Sequence, residues 1–542
     1  MKNIQHTIKI ASVVLLACAL LRPTISLGNE GGNGEKSTKQ VQAEEVRGVW
    51  LTNVDSDLLF SPQNIDRGMK KLAENGFNVV FPVVWHGGFT LYPSDVMEET
   101  FGNAYRQDSL FREKGLDPLE EVIFAAHRYG MEVIPWFEFG FISSHRESAN
   151  HILNMKPEWA AKKRNGKPLS KNDFDWMNPF HPEVQELITG IIMEVVRNYD
   201  VDGIQGDHRL PAFPSEGGYN KATKELFRDE VGQAPPKNPF NPTFLKWKSE
   251  KITDLAQQIY EEVKAADEEL IVSYAPVSYP RSFKFYLQDI PQWIEKGYVD
   301  LLVPQIYYWQ VPAYKKQLRS TITKYPSWKA NDITVVPGIA LKFGNQHNDF
   351  DFVNQAIGFN REMNLPGEIY FYYEGLFEKN NNLADSLSRR HYKTTAMLPY
   401  RTNDTQNRRP KPQVYDDQMC SSSGDPEVLN RPDAIEGDVC STGLTLRYTI
   451  EVSEPGRYDV FAHHTQQNSE SVPNYKIASS DEVEVVKTYD PTKNLKGWQC
   501  LFTVEVSGNN EAPKLSVTTS PRSSNATMEV DALMAMPNHN TR

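Results

Sequence analysis

The sequence predicts an α/β protein built in two parts, a (β/α)8 TIM barrel followed by an all-β sandwich domain. Two observations support this fold class. First, short runs rich in β-branched and aromatic residues alternate with amphipathic helical stretches from residue 45 to residue 398, as in parallel sheets covered by helices. Second, the remaining residues show strand-like alternation without a helical period. At 542 residues, the chain is also longer than one domain usually is.

Eight strands are expected in the first part: Val46–Asn53, Asn78–Trp85, Glu132–Glu138, Val201–Asp207, Leu270–Ala275, Val299–Tyr307, Ile333–Ala340 and Glu368–Glu374. Helical stretches lie between them, and several start at or just after Asp, Pro or Asn: Gln63–Asn75, Pro118–Tyr129, Pro182–Asn198, Pro242–Ala266, Ile290–Lys296, Ala313–Lys324 and Phe350–Met363. A doubly wound open sheet alternates in the same way, but no glycine-rich phosphate loop follows the first strand. The barrel is therefore preferred, and its active site is expected at the C-terminal strand ends.

The N-terminus has the features of a secretory signal. Lys2 and Lys9 precede an apolar run over residues 10–21, and small residues near position 28 suit cleavage. We therefore expect a signal peptide over residues 1–28, a disordered tether over 29–44, and a mature protein in the periplasm or outside the cell. The apolar run is too short to span a bilayer as a helix of the mature protein. Lipoprotein anchoring through Cys18 is an alternative, disfavoured because Cys18 lies inside the apolar run.

The predicted barrel domain covers residues 45–398, and a polar, proline-bearing linker over 399–414 separates it from a predicted sandwich domain over 415–542. Alternating strands predict the sandwich: Leu444–Thr449, Arg457–His463, Glu482–Thr488, Trp498–Val506, Lys514–Thr519 and Thr527–Met536. The last part of the chain also contains Cys420, Cys440 and Cys500. Cys420 and Cys440 are the preferred disulfide pair because the shorter loop closes more easily.

Charge and motif content exclude several functions. The formal net charge of -12 disfavours binding to nucleic acid. The barrel region has no H-E-x-x-H motif, no clustered cysteines and histidines, no G-x-S-x-G elbow and no phosphate loop. Neither a metal nor a cofactor is therefore expected, and the oligomeric state stays open.

Two carboxylates are the candidate catalytic groups. In the fourth strand, alternation places Gln205 and Asp207 on one face, with Asp207 at the strand exit. The third strand ends similarly, with Trp136 and Glu138 on one face. Paired carboxyl groups across a bond are what glycoside hydrolysis requires, so Asp207 and Glu138 are predicted to act together, with Glu374 or Glu216 as replacements for Glu138.

Other polar and aromatic residues near the strand ends are candidates for binding a sugar, because apolar sugar faces stack on aromatic rings and hydroxyls need hydrogen-bond partners. The predicted substrate-binding residues are Trp85, His86, Trp136, Gln205, His208, Arg209, Gln305, Tyr307, Trp309 and Glu374. Each aromatic residue is also a candidate for ordinary core packing.

Seven ordered motifs carry a family resemblance: EVRGVWLTN, NVVFPVVW, VIPWFEFGF, WMNPFHPEVQ, YDVDGIQGDH, VPQIYYW and YFYYEGL. Together they resemble the bacterial glycosyl-hydrolase-like family ten proteins over roughly residues 45–395. The resemblance implies a TIM barrel, glycosidase activity on bacterial glycans including peptidoglycan glycan strands, and an envelope location. The family commonly has two adjacent acids in the strand-four motif, where this chain has Asp207 followed by His208.

The C-terminal motif GRYDVFAHH, a strand at Tyr475 and the motifs GWQCLFTVEV and EVDALMA together resemble the golvesin-type domain of the galactose-binding sandwich class. That resemblance implies attachment to polysaccharide or cell wall. The leading prediction is therefore a glycoside hydrolase, either retaining or inverting. The alternative is a non-catalytic glycan-binding or scaffolding protein, which His208 in place of an acid favours.

Overall fold

The computed structural model describes residues 43–145, 148, 150–325, 328–377, 382–401, 409, 411–416, 427–430, 438–442, 446–452, 455–464, 474–479, 484–487, 497–506, 514–520 and 528–539. All of them belong to one compact unit, Gln42–Arg542. The predicted signal peptide, Cys18, most of the predicted tether and Cys420 lie outside the described residues, as does the side chain of Cys440. The protein is a mixed α/β protein, as predicted.

Two five-stranded parallel sheets form the centre of the first part of the chain. In the first, neighbouring strands follow the order Gly338–Ala340, Gly367–Phe371, Val46–Leu51, Val79–Pro82 and Glu132–Val133. In the second, the order is Thr334–Val335, Leu301–Leu302, Ile271–Ala275, Gly203–Asp207 and Trp136–Phe137. Two parallel bridges connect the sheets. Val83, next to the strand Val79–Pro82 of the first sheet, pairs with Trp136 of the second, and Gln305, which follows the strand Leu301–Leu302 of the second sheet, pairs with Gly338 of the first.

Helices cover these strands, and most begin where local sequence signals favour a helix start. Asp117 accepts hydrogen bonds from the Leu119 and Glu120 amides, and proline follows it at the first helical position. The described α-helices are Pro62–Glu74, Asp95–Phe101, Ser109–Arg112, Pro118–Arg128, His151–Met155, Pro182–Asn198, Lys221–Val231, Pro242–Ala266, Arg281–Tyr286, Ile290–Lys296, Val311–Ile322, Phe350–Glu362, Glu374–Phe377 and Leu383–Arg390. Short 3-10 helices cover Leu58–Phe60, Asn103–Tyr105 and Pro157–Trp159.

Each of the eight predicted strands and seven predicted helices of this part has a counterpart, but the strand predicted over Val299–Tyr307 forms only Leu301–Leu302. Several predicted strands are interrupted; the run predicted over Glu132–Glu138 forms Glu132–Val133 and Trp136–Phe137. An antiparallel sheet with the strand order Ile142–His145, Phe174–Trp176 and Ser170–Lys171 was not predicted. Two-stranded ladders also pair Ala43–Glu44 with Ala396–Met397, Trp85–His86 with Phe89–Thr90, and Lys342–Phe343 with Gln346–His347.

Beyond residue 409, every regular element among the described residues is a strand, and the strands pair antiparallel. One sheet has the order Val414–Asp416, Ala532–Pro537, Gly456–His464 and Gly497–Val506. A second has the order Leu446–Glu451, Lys514–Ser520, Asn474–Ser479 and Glu484–Lys487, and a third the order Glu427–Asn430, Asp438–Thr442 and Met528–Val530. The six strands predicted from alternation are confirmed, as is the strand expected at Tyr475. Three others were not predicted: Val414–Asp416, Glu427–Asn430 and Asp438–Thr442.

Two arginines of the predicted linker are buried instead of solvated. Arg401 Nε lies 2.8 Å from Glu132 Oε1, at the N-terminal end of a parallel strand. Arg409 Nε lies 2.8 Å from Asp202 Oδ1, and its Nη1 lies 2.8 Å from Asp200 Oδ2. Arg401 and Arg409 thus pair with carboxylates at the N-terminal ends of the strands, because buried carboxylates require cationic partners. No helix in the described part of the chain is long and apolar enough to cross a membrane.

Candidate functional site

Asp207 ends the strand Gly203–Asp207, and its side chain is 2% exposed. Gln305 Nε2 donates a hydrogen bond to Asp207 Oδ1 over 2.5 Å. His208 Nδ1 lies 3.0 Å from Asp207 Oδ2, and Arg209 Nη1 lies 3.5 Å from the same oxygen. Three residues predicted to bind substrate therefore surround the first predicted catalytic carboxylate.

Glu138, the second predicted catalytic carboxylate, shares Arg209 with Asp207. Arg209 Nη1 lies 3.3 Å from Glu138 Oε1 and 3.4 Å from the Glu138 backbone carbonyl oxygen. Because one nitrogen contacts both side chains, the two carboxylate oxygens are less than about 7 Å apart, a span at which two carboxyl groups can act on one bond. This limit is compatible with both retaining and inverting arrangements.

The electrostatic environment keeps Asp207 ionised. Burial by itself would raise the pKa of Asp207, but the charges of His208 and Arg209 and the hydrogen bonds from His208 outweigh burial and lower it. His86 Nε2 lies 3.9 Å from Glu138 Oε2. Burial lowers the pKa of His86, although the Glu138 charge acts in the opposite direction. At neutral pH the cluster therefore combines an ionised Asp207 with a neutral imidazole at His86.

Aromatic rings and a glycine fix the position of Arg209. The guanidinium carbon lies 5.6 Å from the centre of the Phe139 ring and 5.2 Å from that of Phe174. Gly140 has a φ of 50°, and a Cβ at this position would lie 2.0 Å from the Arg209 carbonyl oxygen. Only glycine fits such a left-handed position at this close approach. The backbone around Arg209 is thus tightly constrained, which favours a single placement of its side chain.

Tyr307 lies close enough to Asp207 and Glu138 for the charges of both carboxylates to affect its pKa. Burial raises its pKa far above the ordinary value, and the charges of Asp207 and Glu138 raise it further. Its ring stacks on Phe371, with 5.3 Å between ring centres. The phenol therefore stays protonated and can donate a hydrogen bond at the site.

Trp85, Trp136 and Gln205 lie inside the protein. Trp85 is fully buried and donates its indole N–H to the Gly140 carbonyl over 2.9 Å. Trp136 is 3% exposed, and Gln205 is fully buried, with its Oε1 2.6 Å from the Trp50 indole nitrogen. Asp207 itself is 2% exposed, and contact of these three residues with substrate stays a prediction.

Glu374 and Trp309 were also predicted to bind substrate. Glu374 begins the helix Glu374–Phe377 and accepts a hydrogen bond from the Ser56 hydroxyl. Trp309 is half-buried and follows the strand Leu301–Leu302. Their substrate contacts stay predictions. Glu216, a predicted replacement for Glu138, lies 3.0 Å from Lys171 Nζ in a salt bridge.

Sequence reasoning missed a group of residues beside His208. The Tyr286 ring centre lies 5.6 Å from that of His208, and Lys171 Nζ lies 4.8 Å from the centre of the same tyrosine ring. Lys171 belongs to the unpredicted antiparallel sheet. The only sequence signal for this sheet was the polar segment before Trp176, which lacks the alternation of strands and helices expected of a barrel. In the described part of the chain, no group of three or more His, Cys, Asp or Glu side chains could hold a metal ion.

Comparisons with known proteins were consistent with the motifs. Residues 45–352 match the family described as glycosyl hydrolase-like 10. The chain is 23% identical to glycosyl hydrolase DigH of Escherichia coli O6:H1 over 333 residues, which cover 55% of this chain and 73% of that protein. It is 24% identical to glycosyl hydrolase YngK of Bacillus subtilis over 407 residues, which cover 66% and 73% of the two proteins. A solved structure of the PgaB (BpsB) glycoside hydrolase domain from Bordetella bronchiseptica aligns with a TM-score of 0.48 and 12% identity, covering 64% of this chain and 98% of that one.

Proposed function

This chain belongs to the glycosyl hydrolase-like 10 family, and from that premise we propose that it is an exported glycoside hydrolase acting on a bacterial envelope or extracellular glycan, such as the glycan strands of peptidoglycan. The observation that carries the proposal is the sharing of Arg209 Nη1 by Asp207 and Glu138, at 3.5 and 3.3 Å. Cleavage of a glycosidic bond needs two carboxyl groups that flank it. Homology to proteins named glycosyl hydrolases supports the same activity.

The roles of the two carboxylates follow from their surroundings. The lowered pKa of Asp207 suits the group that must be ionised, whether it attacks the sugar or activates water. Glu138 is then the proton donor to the leaving oxygen, and Arg209 holds the two side chains in position. His86, His208, Gln305 and Tyr307 are proposed to hydrogen-bond sugar hydroxyls, with Trp309 and Glu374 in more distant subsites.

The proposed architecture and location complete this function. We propose that the parallel sheets form a closed (β/α)8 barrel over residues 45–398, supported by the bridges between Val83 and Trp136 and between Gln305 and Gly338. The strands of residues 415–542 are proposed to form a golvesin-like sandwich that attaches the enzyme to polysaccharide or cell wall. A signal peptide over residues 1–28 would direct export to the periplasm or cell exterior.

A second candidate function is a glycan-binding protein without catalysis. The contact of His208 with Asp207 favours it, since an imidazole stands where the family motif commonly has a second acid. In that case Arg209 and His208 would only neutralise a buried charge. Turnover of substrate distinguishes the two functions.

The test uses the mature chain and purified peptidoglycan glycan strands freed of peptides, with chitin and plant-type glycans in parallel. Released oligosaccharides are quantified by chromatography for the wild type, Asp207→Asn and Glu138→Gln. Each substitution should lower the rate by about 10²–10⁴-fold, because acid–base groups contribute that much. Glu216→Gln is the matched control, since this carboxylate pairs with Lys171, and it should retain most activity. Binding without product release from any glycan would support the non-catalytic function instead.

A further inference from the structure

A cavity lies at the opposite end of the strand that carries Asp207. It has a volume of about 650 Å³ and opens between the helix Pro118–Arg128 and the C-terminal strands Gly456–His464 and Gly497–Val506. Asp200, three residues before the strand Gly203–Asp207, is part of its lining. A volume of this size is typical of sites for small ligands.

Packed contacts on both sides fix the width of this cavity. The rings of Phe124 and Phe461 meet across it, with 4.8 Å between their centres. The Arg128 guanidinium lies 5.7 Å from the centre of the Trp498 ring. The Arg409 side chain pairs with Asp200 over 2.8 Å. The cavity is therefore bounded by directed contacts between the helix and the strands.

The polar lining is acidic. Glu120, Glu121, Asp200 and Asp459 line the cavity, and its lining includes neither lysine nor arginine. The Asp200 charge is paired with Arg409, and the Asp459 carboxylate accepts hydrogen bonds from Thr503 and Asn538. In contrast, among the described residues the side-chain carboxylates of Glu120 and Glu121 form no salt bridge or hydrogen bond, and only the Glu120 backbone amide bonds a side chain, that of Asp117. These two carboxylates can therefore bind a cationic group, whereas an anionic ligand would be repelled.

The remaining lining is suited to a sugar ring. Trp498 and Phe461 supply aromatic rings, and Gln499 and Asn198 supply side-chain amides. The Trp498 indole Nε1 is buried and has no hydrogen-bond partner within the described part of the chain. A buried donor in this state is costly, and a ligand oxygen that bonded it would remove that cost. Aromatic surface, amides and an unused donor are together typical of sites that bind hydroxylated ligands.

We propose that this cavity binds an oligosaccharide with free amino groups, such as a stretch of de-N-acetylated hexosamine. The ammonium groups pair with Glu120 and Glu121, a pyranose ring packs on Trp498, and a sugar oxygen accepts from the indole N–H. This binding site is separate from the proposed catalytic cleft at Asp207. Its existence does not depend on whether the protein hydrolyses glycans.

The test is calorimetric titration of the full chain with two matched probes at mildly acidic pH and low salt. Glucosamine tetramer should bind at least about tenfold more tightly than N-acetylglucosamine tetramer, because only the former carries charged amines. Raising the salt concentration should weaken its binding. Spermidine, a cation without a sugar ring, should bind at least about tenfold more weakly than glucosamine tetramer, because it gains no ring contacts.

Three variants locate the binding. Glu120→Gln/Glu121→Gln should weaken binding of glucosamine tetramer by at least about tenfold, since two charge-assisted contacts are lost. Trp498→Phe retains an aromatic ring but lacks the indole donor, and it should weaken binding severalfold. Glu113→Gln removes one carboxylate charge from an exposed position outside the cavity lining, and it should bind as the wild type does. Thermal midpoints confirm that each variant is folded.

Several results would overturn the proposal. One is equal affinity of the protein for the two tetramers, and another is equal affinity for spermidine and glucosamine tetramer. The third is absence of glucosamine tetramer binding by the wild type. Loss of binding in Glu138→Gln, with full binding in Glu120→Gln/Glu121→Gln and Trp498→Phe, would place the sugar in the catalytic cleft instead.

Discussion

Gln305 donates a hydrogen bond to Asp207, with 2.5 Å between Nε2 and Oδ1. The same nitrogen lies 3.0 Å from the Ala275 carbonyl oxygen, so the amide joins two neighbouring parallel strands at the carboxylate. A hydrogen bond to the ionised form of an acid stabilises that form. Gln305 therefore helps to keep Asp207 charged in a buried position.

Replacement of Gln305 should change the pH dependence of activity. In Gln305→Leu the Asp207 carboxylate loses a donor, so its pKa should rise and the acidic limb of the kcat/KM profile should move to higher pH. Gln305→Glu should shift the limb further, because it places a like charge beside Asp207. Profiles of both variants against wild type provide the measurement, and unchanged acidic limbs would contradict the role of this contact.

Arg209 should be more important for its charge than for its shape. Arg209→Met leaves Asp207 and Glu138 without their shared cation, so kcat/KM at neutral pH should fall by at least about tenfold. Arg209→Lys retains the charge but has a single nitrogen, and we expect it to lose less activity. The thermal midpoints of both variants are measured to check that each is folded as the wild type is. If Arg209→Met and Arg209→Lys lose the same amount of activity, the planar shape of the guanidinium group is required, and its charge alone is not sufficient.

The buried contact between Arg401 and Glu132 should contribute strongly to stability. Arg401→Met leaves Glu132, whose side chain is 1% exposed, without its cation, which should lower the free energy of unfolding by about 3–5 kcal/mol. Addition of Glu132→Gln should recover part of this loss, because the uncompensated charge is removed. Denaturant unfolding of the single and double variants measures both effects. A chain shortened to residue 399 also lacks Arg401 and should be destabilised because Glu132 again loses its cation. Equal stability of the shortened and full chains would contradict this role of Arg401.

His151 should make the protein less stable in acid. Burial lowers its pKa to about 4, below the value of about 6.5 for an unfolded histidine, so the folded state binds fewer protons between these values. The free energy of unfolding contributed by this group is fully present above about pH 6.5 and is lost progressively as the pH falls to about 4. His151→Phe should fit between the rings of Tyr105 and Phe89 and flatten the decline of the thermal midpoint. An unchanged slope would show that other groups control acid sensitivity.

The sequence by itself located the parallel strands and seven helices of the first part, because their signals are local. The helices Pro182–Asn198 and Pro242–Ala266 begin and end where they were predicted, since proline at the first helical position and the apolar period fix them independently of the rest of the fold. The strand Gly203–Asp207 ends at the residue that was predicted to be at its exit.

Only the tertiary structure decided which polar groups meet and how deeply they lie. Alternation assigns a side chain to one face of a strand but not its depth, so only the folded structure shows that Trp85 and Gln205 are fully buried. The bridge from Arg209 to both Asp207 and Glu138 depends on the packing of Gly140 against the Arg209 backbone. The burial of Arg401 and Arg409 likewise depends on carboxylates more than a hundred residues away. Such contacts have no local signal, because their free energy comes from groups that come together only when the chain folds.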